Sequence, residues 1–224
     1  MCGRFSLGTS ATTLAAQFDL AALPGWRPRY NIAPTQPAPT VVIPSTHPGR
    51  QFTLHHWGLV PPWATDPGIG ARLINARAET VATRPAFRKA FRERRCLILA
   101  DGFSEWQRQG RRKQPFYFRL RDGRPFAFAG LWEHWEAPGG GARDSCTLLT
   151  TTANPVVGAI HDRMPVILAP ENYALWLDPA VQAADRLQPL LHPYPAEEML
   201  AYPVSTEVNN PGNDIPECIE PLAK

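Results

Sequence analysis

The sequence predicts an α+β fold that is rich in β-strand, with a mostly antiparallel, barrel-like sheet core and helices at its periphery. Three observations carry this. Short apolar runs of strand length recur along the 224 residues. Turn signals such as Asp101-Gly102 and Asp122-Gly123 punctuate them. Helical periodicity is brief and irregularly placed, whereas a doubly wound parallel sheet would alternate strand with helix. No repeat and no linker divides the chain, so a single domain over residues 1–224 is expected.

Taken in order, Thr9 to Leu20 has the spacing of a short amphipathic helix, with Thr9 or Ser10 as N-cap and Leu14 and Phe18 four apart. Pro24 to Pro39 is a Pro-rich loop. Val41 to Ile43 and Phe52 to His56 read as strands. Trp57 to Trp63 has neither period, and its two Trp bracketing Gly and Pro suggest a rigid surface shelf. Arg84 to Arg95 reads as a helix with Phe87 and Phe91 facing the core. Arg84, Arg88 and Arg92 then share another face, either to meet an anionic partner or simply to be solvated. Cys96 to Ala100 is a strand. Pro115 to Leu120 and Pro125 to Trp132, joined by Arg121-Asp122-Gly123-Arg124, form a predicted β-hairpin. Gly139 to Gly141 is a loop tip before the strand Cys146 to Thr152. Asn154 caps a short helix with Pro155 in its first turn. Met164 to Leu168 is a strand, Pro170 to Leu177 and Val181 to Leu191 are helices, and the tail from Val204 lies over the body.

No apolar run reaches the ~18 residues of a membrane span, and the N-terminus lacks a signal-peptide pattern. A soluble, cytoplasmic protein with reduced thiols is expected. Cys96 and Cys146 sit in apolar runs as small core residues, and Cys218 lies in the tail. No cysteine has metal-ligand spacing, so no metal and no cofactor are expected. The net charge of +3 is too small to indicate a nucleic-acid binder. The cations are nearly all Arg, which either suits phosphate oxygens or reflects a composition biased towards Arg, Ala and Pro together.

The chemistry begins at Met1-Cys2-Gly3-Arg4. Were Met1 removed, Cys2 would carry a thiol and a primary amine on adjacent carbons, groups that titrate near pH 8.5 and 8. Such a 1,2-aminothiol condenses with an aldehyde to a Schiff base and closes to a thiazolidine. Asn75, after an apolar pair, is either a clamp on that amine or a satisfied turn amide. Glu105 stands between Phe103 and Trp106 as either a raised-pKa proton shuttle or an exposed strand carboxylate. His161, beside Asp162 and Arg163, is either an acid/base group or structural. Arg4, Arg77 and Arg163 each lie within two residues of one of these candidates, a cluster suited to a phosphate-bearing substrate.

The segments Cys2-Gly3-Arg4-Phe5, Arg29-Tyr30-Asn31-Ile32-Ala33-Pro34, Trp57-Gly58-Leu59-Val60-Pro61, Ile74-Asn75-Ala76-Arg77-Ala78-Glu79-Thr80, Ala100-Asp101-Gly102-Phe103-Ser104-Glu105-Trp106, Ala129-Gly130-Leu131-Trp132 and Ile160-His161-Asp162-Arg163-Met164-Pro165 occur in one order. Together they resemble the SRAP family of abasic-site processing proteins, over essentially the whole chain. The resemblance implies the SRAP fold and a covalent thiazolidine between Cys2 and the ring-opened sugar of an abasic site in single-stranded DNA, with Asn75 holding the amine, Glu105 shuttling protons and His161 assisting ring opening. It further implies DNA contacts from Arg4, Asn31, Pro34, Trp63, Arg77, Thr150 and Arg163, and a preference for junctions between single strand and duplex. It carries AP-lyase activity and self-removal of Met1 as side activities, and the nucleoid as location. A monomer suffices for one lesion. Ser104 departs from the family, which more often has an aromatic residue there, and that leaves the polarity around Glu105 open.

The rival readings are an N-terminal nucleophile amidohydrolase using Cys2, a thiol peptidase whose only event is release of Met1, and a non-catalytic single-strand binder. The first lacks both a domain for an ammonia acceptor and that family's other segments.

Overall fold

The computed structural model describes residues 2–44, 49–110, 112–137 and 139–222. Among them run the strands β1 (Phe5–Leu7), β2 (Arg29–Ile32), β3 (Pro37–Val42), β4 (Gln51–Trp57), β5 (Asn75–Arg77), β6 (Arg95–Ala100), β7 (Gly102–Gln109), β8 (Arg112–Leu120), β9 (Phe126–Glu136), β10 (Ala142–Thr152), β11 (Arg163–Pro165), β12 (Ile167–Leu168) and β13 (Met199–Pro203). The helices are short: α1 (Ala11–Phe18), α2 (Arg88–Glu93), α3 (Pro155–Gly158), α4 (Tyr173–Leu177) and α5 (Ala184–Leu187).

Five strands close a barrel in the order β10-β4-β3-β6-β9 and back to β10. Every seam is antiparallel except β10–β4. Closure leaves no free edge along these strands. Strand β6 is buried along its whole length. It runs so close to β9 that a Cβ at Gly130 would stand 2.8 Å from Cys96 Sγ, so glycine is what lets the two approach. Strands β5 and β11 add to the barrel on β10, and β12 on β9; the other five form an antiparallel sheet in the order β13-β8-β7-β1-β2. This sheet packs on the barrel through aromatic edges, with Phe5 5.0 Å from Trp57 and 5.8 Å from Phe128, and Phe103 6.1 Å from Phe128. The fold is thus the expected β-rich α+β type with a closed barrel.

Several elements stand where the sequence places them. Ser10 caps α1 by accepting from Thr13 N, and Leu14 and Phe18 are its buried face. Asn154 caps α3 in the same way, accepting from Val157 N at 3.0 Å. Cys96 and Cys146 are fully buried, and the tail does lie over the body: Val204, Val208 and Cys218 pack on Tyr117.

Others differ. Strands β8 and β9 are not a hairpin; β8 pairs with β7 and β13, while β9 pairs with β6, β10 and β12. Asp122-Gly123 is a corner between two sheets, with Gly123 at φ 74° and its N–H on Leu120 O. The shelf is only half a surface, because Trp57 is fully buried while Trp63 is 60% exposed. Helix α2 is shorter than expected, since Arg95 already belongs to β6. That arginine is buried and donates to the carbonyls of Phe91, Arg92, Trp176, Asp178 and Val181, tying off α2 and α4 together. Phe87 and Phe91 are buried as expected, and Arg84, Arg88 and Arg92 are exposed. The strand over Met164 to Leu168 is split at Val166, whose N–H donates to Leu149 O. Among the described residues no helix is long and apolar enough to cross a membrane.

Candidate active site

The N-terminal residues bridge the sheet and the barrel. Strand β1 pairs with β7 at Phe5–Phe103 and Ser6–Gly102, and the ladder continues as Ser104 N donates to Arg4 O at 3.0 Å. This places residues 2–4 alongside Glu105. From the barrel side, β5 lies parallel to β10 and delivers Asn75, whose Nδ2 donates to the Cys2 carbonyl at 2.8 Å. Two elements far apart in sequence therefore hold one terminus.

Cys2 is fully buried, its Sγ 3.7 Å from Arg4 O. Burial pushes its thiol well above the ordinary cysteine range, and the nearby Glu105 carboxylate adds to the rise. The Glu105 carboxyl is itself raised, mainly by burial, with His161 pulling the other way. Glu105 is therefore not the exposed strand carboxylate of the alternative reading. Ser104, the departure from the family pattern, is buried opposite Tyr117, on the face of β7 that also carries Trp106 and Arg108.

Glu105 and His161 line one cleft of about 640 Å³ with Gly3, Arg4, Trp106, Arg108, Lys113, Ile160 and Asn209. His161 follows α3, its N–H on Val157 O. Its Nδ1 accepts from Arg163 N at 3.0 Å and also lies 3.0 Å from Asp162 Oδ1. Asn75 Oδ1 is buried without a hydrogen-bond partner among the described residues.

The arginines are less alike than their spacing suggests. Arg4 is nearly buried; its Nη1 donates to Asn31 Oδ1 at 2.8 Å and Val208 O at 2.6 Å, and its guanidinium lies 5.8 Å from the Trp106 ring. Arg163 forks onto Glu79 at 2.5 and 3.0 Å and also reaches Thr150 O at 2.7 Å. Arg77 is exposed on β5. Asn31 is fully buried, its amide also donating to Val208, Asn210 and Asn213 carbonyls. Thr150 is fully buried as well. As placed, both support arginines and present no surface of their own. Pro34 is half-buried beside Thr35, a β-branched residue at φ 70° that is held by its N–H on Trp57 O. Such strain costs on the order of 1–3 kcal/mol and gathers at functional sites. Pro34, Trp63 and Arg77 do not line the cleft around Glu105.

Sequence reasoning missed Arg108, Lys113 and Asn209 as cleft residues. The signal for the first two lay in the β7–β8 register, whereas Asn209 belongs to the tail and meets the cleft where its Oδ1 accepts from the Trp106 indole N–H. Among the described residues no three of His, Cys, Asp or Glu gather as a metal site.

Residues 1–211 match the family described as SOS response associated peptidase (SRAP). The chain belongs to the SRAP family. Among its SRAP relatives, the abasic site processing protein YoqW of Bacillus subtilis is 45% identical, covering 98% of this chain and 99% of its own. The abasic site processing protein HMCES of Xenopus tropicalis is 34% identical over 88% of this chain and 69% of its own. A solved structure from Bacteroides thetaiotaomicron shares the fold with a TM-score of 0.88 at 24% identity, covering 99% and 100% of the two chains. One from Bordetella bronchiseptica gives 0.78 at 27%, covering 91% and 100%.

Proposed function

We propose that this SRAP chain processes abasic sites in single-stranded DNA by linking covalently to them through Cys2. The observation that carries the reading is the convergence of Asn75 on the Cys2 backbone with Glu105 and His161 on one adjoining cleft. Release of Met1, which lies outside the described residues, turns the Cys2 nitrogen from an amide into a primary amine. Asn75 Oδ1 is an acceptor available to that amine.

The amine adds to C1′ of the open sugar, and the carbinolamine loses water to give the protonated imine, which keeps its N–H. Glu105, held in its acid form more readily than an exposed carboxyl, donates the proton that leaves with that water. The thiol then adds across C=N; its proton passes to the Glu105 carboxylate and the S–C bond closes the thiazolidine. Aldehyde plus aminothiol gives thiazolidine plus one water. His161 donates a proton to the sugar ring oxygen as the ring opens. A raised thiol orders these steps: it is a weak nucleophile until the imine stands beside it.

Phosphates flanking the lesion fall to Arg4, Arg77 and Arg163, and exposed Trp63 offers a stacking face for a base. Because Arg163 already holds Glu79, a phosphate there replaces a carboxylate. Asn31 and Thr150 act behind Arg4 and Arg163. A missing base spares the site the energy of flipping one out. Junction preference, AP-lyase activity, self-removal of Met1 and action as a monomer belong to the same reading.

The test is a denaturing gel. Wild-type protein should shift abasic single-stranded DNA into a band that survives heat and SDS, and leave undamaged DNA unshifted. Cys2→Ala should lose the band yet still retard DNA on a native gel; a band retained by that variant removes the proposal.

A further inference from the structure

Strands β7 and β8 run out past the reactive cleft as a hairpin, and near its tip two cations oppose each other: Arg108 pairs directly with Lys113 across the ladder. Both side chains are exposed, and both line the cleft that holds Glu105, His161 and Arg4. Like charges at directly facing positions of an antiparallel pair destabilise it. An acidic residue at either position would relieve this. The facing pair instead leaves two donors converging on one opening, with no salt bridge to either among the described residues. Arg4 contributes a third cation to the same wall, fixed by Asn31 and the Val208 carbonyl.

We infer that Arg108 and Lys113 form a phosphate clamp on the rim of the cleft, holding a phosphodiester of the DNA strand next to the reacting sugar. The inference rests on the proposed function for its ligand and deepens it. The fork of Arg108 suits two phosphate oxygens, while Lys113 adds a point charge with three donors. Facing residues in the ladder have Cβ atoms about 5 Å apart, so both long side chains reach one anion. Placed on a paired hairpin, the clamp fixes the strand's path relative to Glu105 and His161 more firmly than a loop could. A free acidic peptide would meet the same charges but would not gain from Trp106, whose ring lines the cleft and suits a base or sugar.

The experiment measures native binding to an undamaged single-stranded oligonucleotide in a Cys2→Ala background, across a salt series. The variants are Arg108→Gln with Lys113→Gln, and Arg112→Gln as control. Arg112 faces the other side of β8 from Lys113 and does not line the cleft. Without the clamp on its one phosphodiester the double variant should show a log–log salt slope flatter by about 0.7, so that raising salt from 50 to 200 mM weakens binding nearly threefold less than in the parent, about 2.6-fold. Arg112→Gln should leave the slope unchanged, and Lys113→Arg should keep the parent's. An unchanged slope in the double variant overturns the clamp, as does an equal flattening in Arg112→Gln, which would make the effect one of net charge. A polyglutamate peptide that displaces DNA from the parent but not from the double variant, with the DNA slope unaltered, also overturns it. Failure of the wild type to cross-link abasic DNA while the slope changes as expected would sink the covalent chemistry and leave the clamp standing.

Discussion

Cys2 and Cys146 are both withdrawn from solvent, and burial pushes both thiols well above the usual range. In the barrel wall, Cys146 has burial as its one cause and Cys96 as its fellow thiol. At the end of β1, Cys2 has a carboxyl beside it, an amide on its backbone and a cleft next to its neighbours Gly3 and Arg4. A raised thiol therefore says nothing about function by itself. What distinguishes the two sites is whether proton donors and acceptors stand within reach, and whether a reactant can approach.

The largest expected difference between the two sites is in Cys2→Ala, which should abolish cross-linking altogether, read as loss of the mass gain of protein plus oligonucleotide minus water. Next, Glu105→Gln should slow cross-linking by about 10²-fold or more, the usual range for general acid–base catalysis, with affinity for undamaged DNA near wild type. The wild-type rate should fall as pH climbs through the raised Glu105 value, and this step should be missing from the variant's profile.

Glu105 also enters stability. The folded state holds its proton more tightly than the unfolded chain does, so its contribution is full below the unfolded carboxyl value and is lost as pH rises through the folded one. Glu105→Gln should therefore melt above wild type at neutral pH, the two converging in acid; equal melting at both would detach Glu105 from its burial. The comparison sharpens with Cys146→Ala, which should cost about 1 kcal/mol for the lost buried volume in urea unfolding and leave cross-linking untouched. The smallest effect is expected from Glu79→Gln. Freeing Arg163 for one more phosphate should steepen the salt slope on single strands by about 0.7, roughly a threefold change between 50 and 200 mM. A flatter slope instead would mean that Glu79 orients Arg163 for DNA.

Local chemistry was legible and pairing was not. Ser10 and Asn154 announce their helices because a cap is a contact between residues three apart. The chain from Pro115 to Trp132 reads as a hairpin because Asp-Gly serves a corner between sheets as well as a tight turn; the partners that decide it lie at β6, β7 and β13. Trp57 and Trp63 look equivalent in sequence, yet only the first closes against Phe5, and its indole N–H finds Ile74 O. Strand β13 carries alternation too weak to see before β8 lies beside it. At the site, Cys2, Asn75, Glu105 and His161 were legible as residue types at the ends of apolar runs. Asn31 and Thr150 were not legible as supports, since burial by the tail and the pairing of β10 between β5 and β11 are long-range outcomes.

The two ends of the chain are tied together: Asp214 accepts from the backbone N–H of Tyr30 and Asn31, and Val208 O holds Arg4. For anyone producing this protein, the start of the chain is not a neutral place to extend, nor its tail a neutral place to cut. A fusion ahead of Cys2 would block its nitrogen outright, whereas trimming the chain from Ser205 onward would unfasten Arg4 and should present as a binding defect in a protein whose thiol is intact.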